Sequence, residues 1–175
     1  ANGFVGKNLI NFFLEKTNYN LTCISKKNNT ISNQRIFWIK INEFDNKIDW
    51  KKILIGIDCI IHLAGPAHSD NNKNQLKKNY EATKELAKNA IKYKIKKFIF
   101  LSTIKVNGEF SEVNKPFTIK DKANPQNIYS VTKYKIENML NSLYTNRKLS
   151  LVIIRPPIIY GPYVKANFKS IIQMT

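Results

Sequence analysis

Short apolar runs alternate with amphipathic stretches along this chain. Leu21–Ser25, Arg35–Ile41, Asp58–Leu63, Lys97–Ser102 and Leu149–Arg155 are each brief and apolar, a pattern that predicts strands. Several are apolar at successive rather than alternate positions, as strands are when helices cover both faces of a parallel sheet. Between them, Gly6–Lys16, Gln75–Lys94 and Ile128–Tyr144 read as helices, with a shorter helical turn at Trp50–Ile55. In Gln75–Lys94 the positions Leu76, Thr83, Leu86, Ala87, Ala90 and Ile91 recur at helical spacing while lysines fill the other side. Strands separated by helices imply βαβ units, and so an α/β fold with a doubly wound parallel sheet.

Composition narrows the class. A chain of 175 residues, 43% of them apolar, is long enough for one globular domain with a real core. No apolar stretch is long enough to span a bilayer and the start does not resemble a signal peptide, so a cytoplasmic protein without a membrane partner is expected. Cys23 and Cys59 both fall in apolar, strand-like segments, which predicts two buried thiols in a reducing compartment. Two cysteines and two histidines at unrelated spacings give no metal site. The net charge of +17 invites a nucleic-acid reading, but every basic residue except Arg35, Arg147 and Arg155 is a lysine. The lysines are scattered over all the polar faces, with no aromatic–basic interleaving that would stack on bases. A solvated surface accounts for the charge, and no nucleic-acid partner is expected.

Three signals carry chemistry. Gly3-Phe4-Val5-Gly6 precedes a helix, so a backbone free of side chains can approach a pyrophosphate at the helix's amide end. The bland alternative is a tight loop in which Gly6 permits close packing. The second strand then ends in Ser25, Lys26 and Lys27. A carboxylate there would select the ribose of NAD; serine and lysine favour the 2′-phosphate of NADP, so NAD(P) is the expected cofactor, with NADP preferred.

The other two signals belong together. Tyr-x-x-x-Lys occurs four times, at Tyr80/Lys84, Tyr93/Lys97, Tyr129/Lys133 and Tyr144/Lys148. Helical placement disfavours Tyr93 and Tyr144, and the partner upstream separates the remaining two. The strand before Tyr129 ends in Ser102-Thr103, a hydroxyl at the carboxyl edge of a strand, where doubly wound folds place ligands; the strand before Tyr80 ends in Leu63-Ala64-Gly65. Tyr129 is then a proton carrier whose phenolate an adjacent ammonium, Lys133, and a positive nicotinamide ring would favour. Thr103 would hydrogen-bond the reacting oxygen, and Lys133 would also hold the nicotinamide ribose.

These residues resemble the extended short-chain dehydrogenase/reductases, the NAD-dependent epimerase/dehydratase family, within its nucleotide-sugar 4-epimerase and 4-ketoreductase branch. The resemblance implies a Rossmann-like fold. It runs through Asn2-Gly3-Phe4-Val5-Gly6, Ile61-His62-Leu63-Ala64-Gly65, Asn79-Tyr80-Glu81-Ala82-Thr83, Leu101-Ser102-Thr103-Ile104-Lys105-Val106-Asn107-Gly108-Glu109, Tyr129 with Lys133, and Arg155-Pro156-Pro157-Ile158-Ile159-Tyr160-Gly161-Pro162. It implies catalytic roles for Thr103, Tyr129 and Lys133. It implies cofactor contacts for Gly3, Phe4, Val5, Gly6, Ser25, Lys26, Leu63, Ala64, Gly65, Asn79, Ser102, Tyr129, Lys133 and Pro156, and substrate contacts for Thr103, Lys105 and Asn167. Water-eliminating members carry acidic residues directly after the catalytic hydroxyl; Ile104-Lys105 stands there instead, which disfavours a 4,6-dehydratase. A UDP-linked hexose, a role in bacterial surface polysaccharide synthesis and a homodimer follow from the same resemblance. A non-catalytic NAD(P)-binding sensor of the same fold is the alternative.

A strand is expected ahead of the glycine loop, yet the chain opens at Ala1 inside that loop and stops at Thr175 in a helix-like stretch. The expectation is therefore a domain truncated at both ends: residues 1–162 as a dinucleotide-binding domain lacking its first strand, and 163–175 as the start of a substrate-binding region. That fragment alone is not expected to be active. His62 reads as a packed core residue, His68 as an unpartnered loop residue, and Trp38 and Trp50 as core.

Overall fold

The computed structural model describes residues 1–27, 31–45, 48–65, 73–145, 147 and 149–162. Helices and parallel strands alternate: α1 (Phe4–Lys16), β1 (Leu21–Ser25), β2 (Ile36–Lys40), α2 (Trp50–Leu54), β3 (Cys59–His62), α3 (Lys73–Lys92), β4 (Lys97–Leu101), a 3-10 turn at Ile104–Val106, α4 (Ile128–Tyr144) and β5 (Ser150–Ile154). This is an α/β fold of the Rossmann-like kind. The chain divides into two compact units, one made of residues 1–43 with the segment from Ile158, the other of Phe44–Pro157.

In the first unit β1 and β2 pair in parallel, from Leu21 opposite Ile36 to Ser25 opposite Lys40. The helix before them begins at Phe4, two residues earlier than its apolar pattern suggests, because Gly3 takes the extended conformation of an N-cap. Its other end is held by side chains. Thr17 Oγ1 donates to Phe13 O at 2.8 Å, and the Arg35 guanidinium donates to the carbonyls of Leu14 and Thr17. A cation on the last carbonyls of a helix satisfies acceptors that have no partner within it and complements the helix dipole.

In the second unit β4 is central between β3 and β5, with Ile60 opposite Phe98 and Phe98 opposite Leu151. Phe98 and Phe100, fully buried, sit on one face of β4; α3 contributes Leu76, Ala82, Leu86, Ala87 and Ala90 to the core and α4 contributes Ile136 and Leu140. The Tyr144 ring reaches Phe98, centroids 5.8 Å apart. Residues on the opposite face of β5 stay more open, Val152 at 37% and Ile154 at 43% exposure. Helix α3 stops without glycine: Lys94 turns left-handed at φ 57°, Ile95 N–H reaches back to Ala90 O and Lys94 N–H to Ile91 O. That pair of bonds is a Schellman ending.

Two expectations about single residues need correction. Cys23 is buried but Cys59 is exposed; it opens an edge strand and points to the face opposite Ile60 and His62, so an apolar run did not ensure its burial. Trp50 is core at 3% exposure, whereas Trp38 is only half-buried, its Nε1 donating to Ile31 O at 2.9 Å. No helix among the described residues is long and apolar enough to cross a membrane. Among the same residues no cluster of three or more His, Cys, Asp or Glu could hold a metal ion.

Candidate active site

The carboxyl end of β4 carries the site in the second unit. Past Leu101 the chain is still held by the neighbouring strand and its extension: Ser102 N–H donates to Ile154 O at 2.7 Å and Ile104 N–H to Pro156 O at 3.0 Å. Thr103, between them, is extended and caps the 3-10 turn, its Oγ1 accepting from Lys105 N–H at 3.4 Å. A hydroxyl that accepts there keeps its own proton to donate.

Helix α4, which packs against that turn, begins where its sequence says it should. Asn127 and Ser130 form a reciprocal capping box, Ser130 N–H to Asn127 Oδ1 at 2.8 Å and Asn127 N–H to Ser130 Oγ at 3.2 Å. Tyr129 and Lys133 follow one turn apart on one face. Lys133 is 6% exposed and its ammonium donates to Leu101 O at 2.8 Å. The same nitrogen lies 4.7 Å from the centre of the Phe100 ring and 5.8 Å from that of Tyr129. Gly65, just beyond β3, leaves room for it: a Cβ there would stand 3.2 Å from Lys133 Nζ and 3.8 Å from Asn79 Oδ1. The structure thus gathers Gly65, Asn79, Tyr129 and Lys133 at the strand end that runs into Thr103.

Burial governs the protonation of these groups. It lowers Lys133 to about 8, with the Glu137 carboxylate pulling the other way. It raises Tyr129 above the ordinary phenol value, since desolvation disfavours phenolate; the lowering expected above counted Lys133 together with a bound nicotinamide ring. His62 is driven down to about 3, by burial first and then by Lys133. Its Nε2 lies 2.9 Å from Thr83 Oγ1, whose single proton goes to Asn79 O at 2.7 Å. Nε2 must therefore carry the hydrogen, and His62 is a neutral core residue stacked on Phe100, as its place in the strand implied.

A second group was not anticipated. Glu137, one turn beyond Lys133 and 2% exposed, accepts from Ser102 Oγ and from Nε and Nη2 of Arg155. Arg155 Nη1 continues to Asn107 Oδ1 at 3.1 Å. The side chain of Ser102, expected to meet cofactor, is buried and engaged by this carboxylate. The available signal was an acidic residue between Ile136 and Leu140, on the buried face of α4. Lys105, expected at substrate, is half-exposed and pairs with Glu109 at 2.9 Å. The Lys105 ammonium holds the Glu109 carboxyl below its usual range, and Glu109 accepts from the Asn127 side chain at the start of α4.

The glycine loop belongs to the first unit. Helix α1 starts at Phe4 with no side-chain cap, so the first amides, at Phe4, Val5 and Gly6, have no partner within the helix. A Cβ on Gly3 would meet nothing within 4 Å, whereas one on Gly6 would collide with the Ala1 carbonyl, its carbon 2.9 Å away. An open amide end beside a residue without a side chain fits a phosphate group. At the end of β1, Ser25 Oγ closes a turn with Lys27, accepting from its N–H at 3.1 Å and donating to its carbonyl at 3.0 Å, and Lys26 stays exposed. Leu63 and Ala64 follow β3 and are half-buried and exposed, respectively, and Pro156 is half-buried. Asn167 and His68 lie outside the described residues.

Comparisons with known proteins give the family. UDP-glucose 4-epimerase of Vibrio cholerae is 33% identical over 180 residues, covering 99% of this chain and 54% of the relative. dTDP-D-glucose 4,6-dehydratase of Dictyostelium discoideum is 36% identical over 119 residues, 61% of this chain and 27% of that protein. Among solved structures, UDP-glucuronic acid 4-epimerase from Bacillus cereus in complex with NAD superposes with a TM-score of 0.79 at 25% identity, over 93% of this chain and 56% of that one. The chain spans about half the length of the curated epimerase, and less of the dehydratase. With residues 1–173 matching it from the glycine loop through α4 and past β5, the chain belongs to the NAD-dependent epimerase/dehydratase family.

Proposed function

We propose that the complete protein is an NAD(P)-dependent nucleotide-sugar epimerase or 4-ketoreductase acting on a hexose carbon of a UDP-sugar. The observation that carries this reading is Lys133, buried between the end of β4 and the Tyr129 ring, on a helix packed against the turn that Thr103 caps. A non-catalytic sensor has no need of that proton path.

Gly3, Phe4, Val5 and Gly6 would hold the diphosphate through backbone amides, and Lys133, with Gly65 and Asn79 beside it, the nicotinamide ribose. Bound nicotinamide supplies a hydride acceptor and donor. The protein's own part is to move the proton. Thr103 donates its free proton to the sugar oxygen and fixes its direction. Tyr129 as phenolate takes the hydroxyl proton, and as phenol returns it. The ammonium of Lys133 has three donors, one of which is engaged by Leu101 O; the other two have no hydrogen-bond acceptor among the described residues and would stabilise phenolate and ribose. Burial alone raises the phenol, so a cation within reach is needed for the base to form.

Lys105, paired with Glu109 directly after Thr103, is an ammonium that cannot take a proton from carbon, which sets this chain apart from the dehydratase reading. The exposed Lys26 at the end of β1 supports NADP over NAD; tighter binding of NAD in a titration of both would reverse that preference. A homodimer is the assembly this reading expects. A cytoplasmic role in surface polysaccharide synthesis completes the reading.

In the complete protein, Tyr129→Phe should lower turnover of a UDP-hexose by about 10²- to 10⁴-fold with NAD(P) affinity intact. Turnover at the parent rate would remove Tyr129 from the chemistry.

A further inference from the structure

Glu137 has no part in the proposed proton path, yet it ties the end of β4 to the helix that bears Tyr129 and Lys133. It sits on α4, four residues beyond Lys133 and so on the same face. Its carboxylate takes the Ser102 hydroxyl from the end of β4 and the fork of Arg155 from beyond β5. Arg155 passes the connection to Asn107, whose own N–H closes the 3-10 turn on Ile104 O at 2.8 Å. Asn107 Nδ2 also reaches Asp121 O at 3.5 Å. Ser102 and Asn107 therefore bracket Thr103 and its turn, and both are referred through one buried anion to the helix that bears Tyr129 and Lys133.

We propose that Glu137 is a positioning residue: it clamps the Thr103 segment to α4, fixing the hydroxyl against the phenol and ammonium, and serves as the buried counter-charge of Lys133. A forked, charge-assisted pair fixes direction as well as distance, and hydrogen-bonded support behind reacting side chains is what holds a site to productive geometry. Among the described residues, the titratable and charged groups facing Lys133 are Tyr129 and Glu137 on α4 and His62 on β3, with Arg155 behind Glu137; α3 presents Asn79 and Thr83, which do not titrate. His62 is neutral down to about pH 3, and the carboxyl that α4 brings to this group is that of Glu137, forked by Arg155. Its attraction opposes the burial that lowers Lys133.

This inference rests on the enzymatic reading above, and the test separates the two. In the complete protein, Glu137→Gln keeps the shape and an acceptor for Ser102 but removes the charge. It should lower kcat about tenfold or more while KM for sugar and cofactor moves less than about twofold, the split expected for a group that acts only through the reacting set. The alkaline limb of the kcat profile should move to lower pH. In 13C-lysine NMR, which needs no substrate, Lys133 should titrate at lower pH than in the parent protein. A folded variant with the parent's kcat and Lys133 titration overturns the proposal, even where Tyr129→Phe is inactive. A parent protein that keeps full turnover as Tyr129→Phe overturns the enzymatic reading instead, and the NMR titration still decides the counter-charge. Should Glu137→Gln not fold, Ser102→Ala removes only the tether on β4 and should lower kcat about threefold with cofactor affinity unchanged; an unaltered kcat there also overturns the clamp.

Discussion

In the glycine loop the parts proposed to bind are backbone amides and the space left by missing side chains: Gly3 faces open space, and Gly6 lies where any Cβ would strike the Ala1 carbonyl. At the end of β4 the working parts are side chains, and they are buried and charged: Lys133, Glu137 and Arg155 with Ser102 and Asn107 between them. The two regions fail in different ways. A site made of amides has no protonation state in the working pH range, so it answers to volume and hardly to pH. A site made of desolvated ionisable groups answers to both, because each neighbour moves another's equilibrium.

Substitutions chosen for this contrast should separate binding from chemistry. Lys133→Met keeps length and apolar contact with Phe100 but removes the ammonium 4.7 Å from that ring. At saturating cofactor it should lower kcat about a hundredfold, since general acid–base assistance is typically worth that much. Gly6→Ala should show the opposite division. The loop must shift to accept the methyl, a strain of about 1–3 kcal/mol in a close-packed place. Cofactor affinity should fall about tenfold, while kcat at saturation stays near the parent value. If Gly6→Ala depressed kcat with cofactor affinity unchanged, the assignment of binding to one region and chemistry to the other would fail.

The same contrast explains what could be read without coordinates. Among the described residues every strand and α-helix was legible, because apolar periodicity and the punctuation between elements are local. The start of α4 after Asn127 and the placement of Tyr129 and Lys133 on one face follow from spacing alone. The Glu137 network was not legible. It joins four elements far apart in sequence, and in a lysine-rich chain a single glutamate on a helix reads as one more solvated charge. The upward push of burial on Tyr129 was not legible for a related reason: a charge is visible in the sequence, whereas desolvation is a property of the packed interior. Cys59 shows the limit at the smallest scale, since an apolar run does not say which of its residues faces outward at a sheet edge.

A further effect is expected on stability, and it belongs to the second unit. His62 is buried, held near pKa 3 against an ordinary 6.5. Between those values the unfolded chain binds a proton that the folded chain refuses. The stability from the neutral ring is therefore fully present above pH 6.5 and lost as pH falls toward 3, by at most about 1.4 kcal/mol per unit. Lys133, also lowered, acts in another window: stability rises with pH between about 8 and 10.5 and is flat below, so it does not confuse the acid side. His62→Phe keeps an aromatic ring between Phe44 and Phe100, 5.3 and 5.7 Å from the present imidazole. It leaves Thr83 donating to Asn79 O, so the loss of one donor to Thr83 should cost little at pH 7. Urea midpoints measured from pH 7 to 4 should then fall less steeply in the variant than in the parent. An equally steep fall in both would assign the acid sensitivity to groups other than His62.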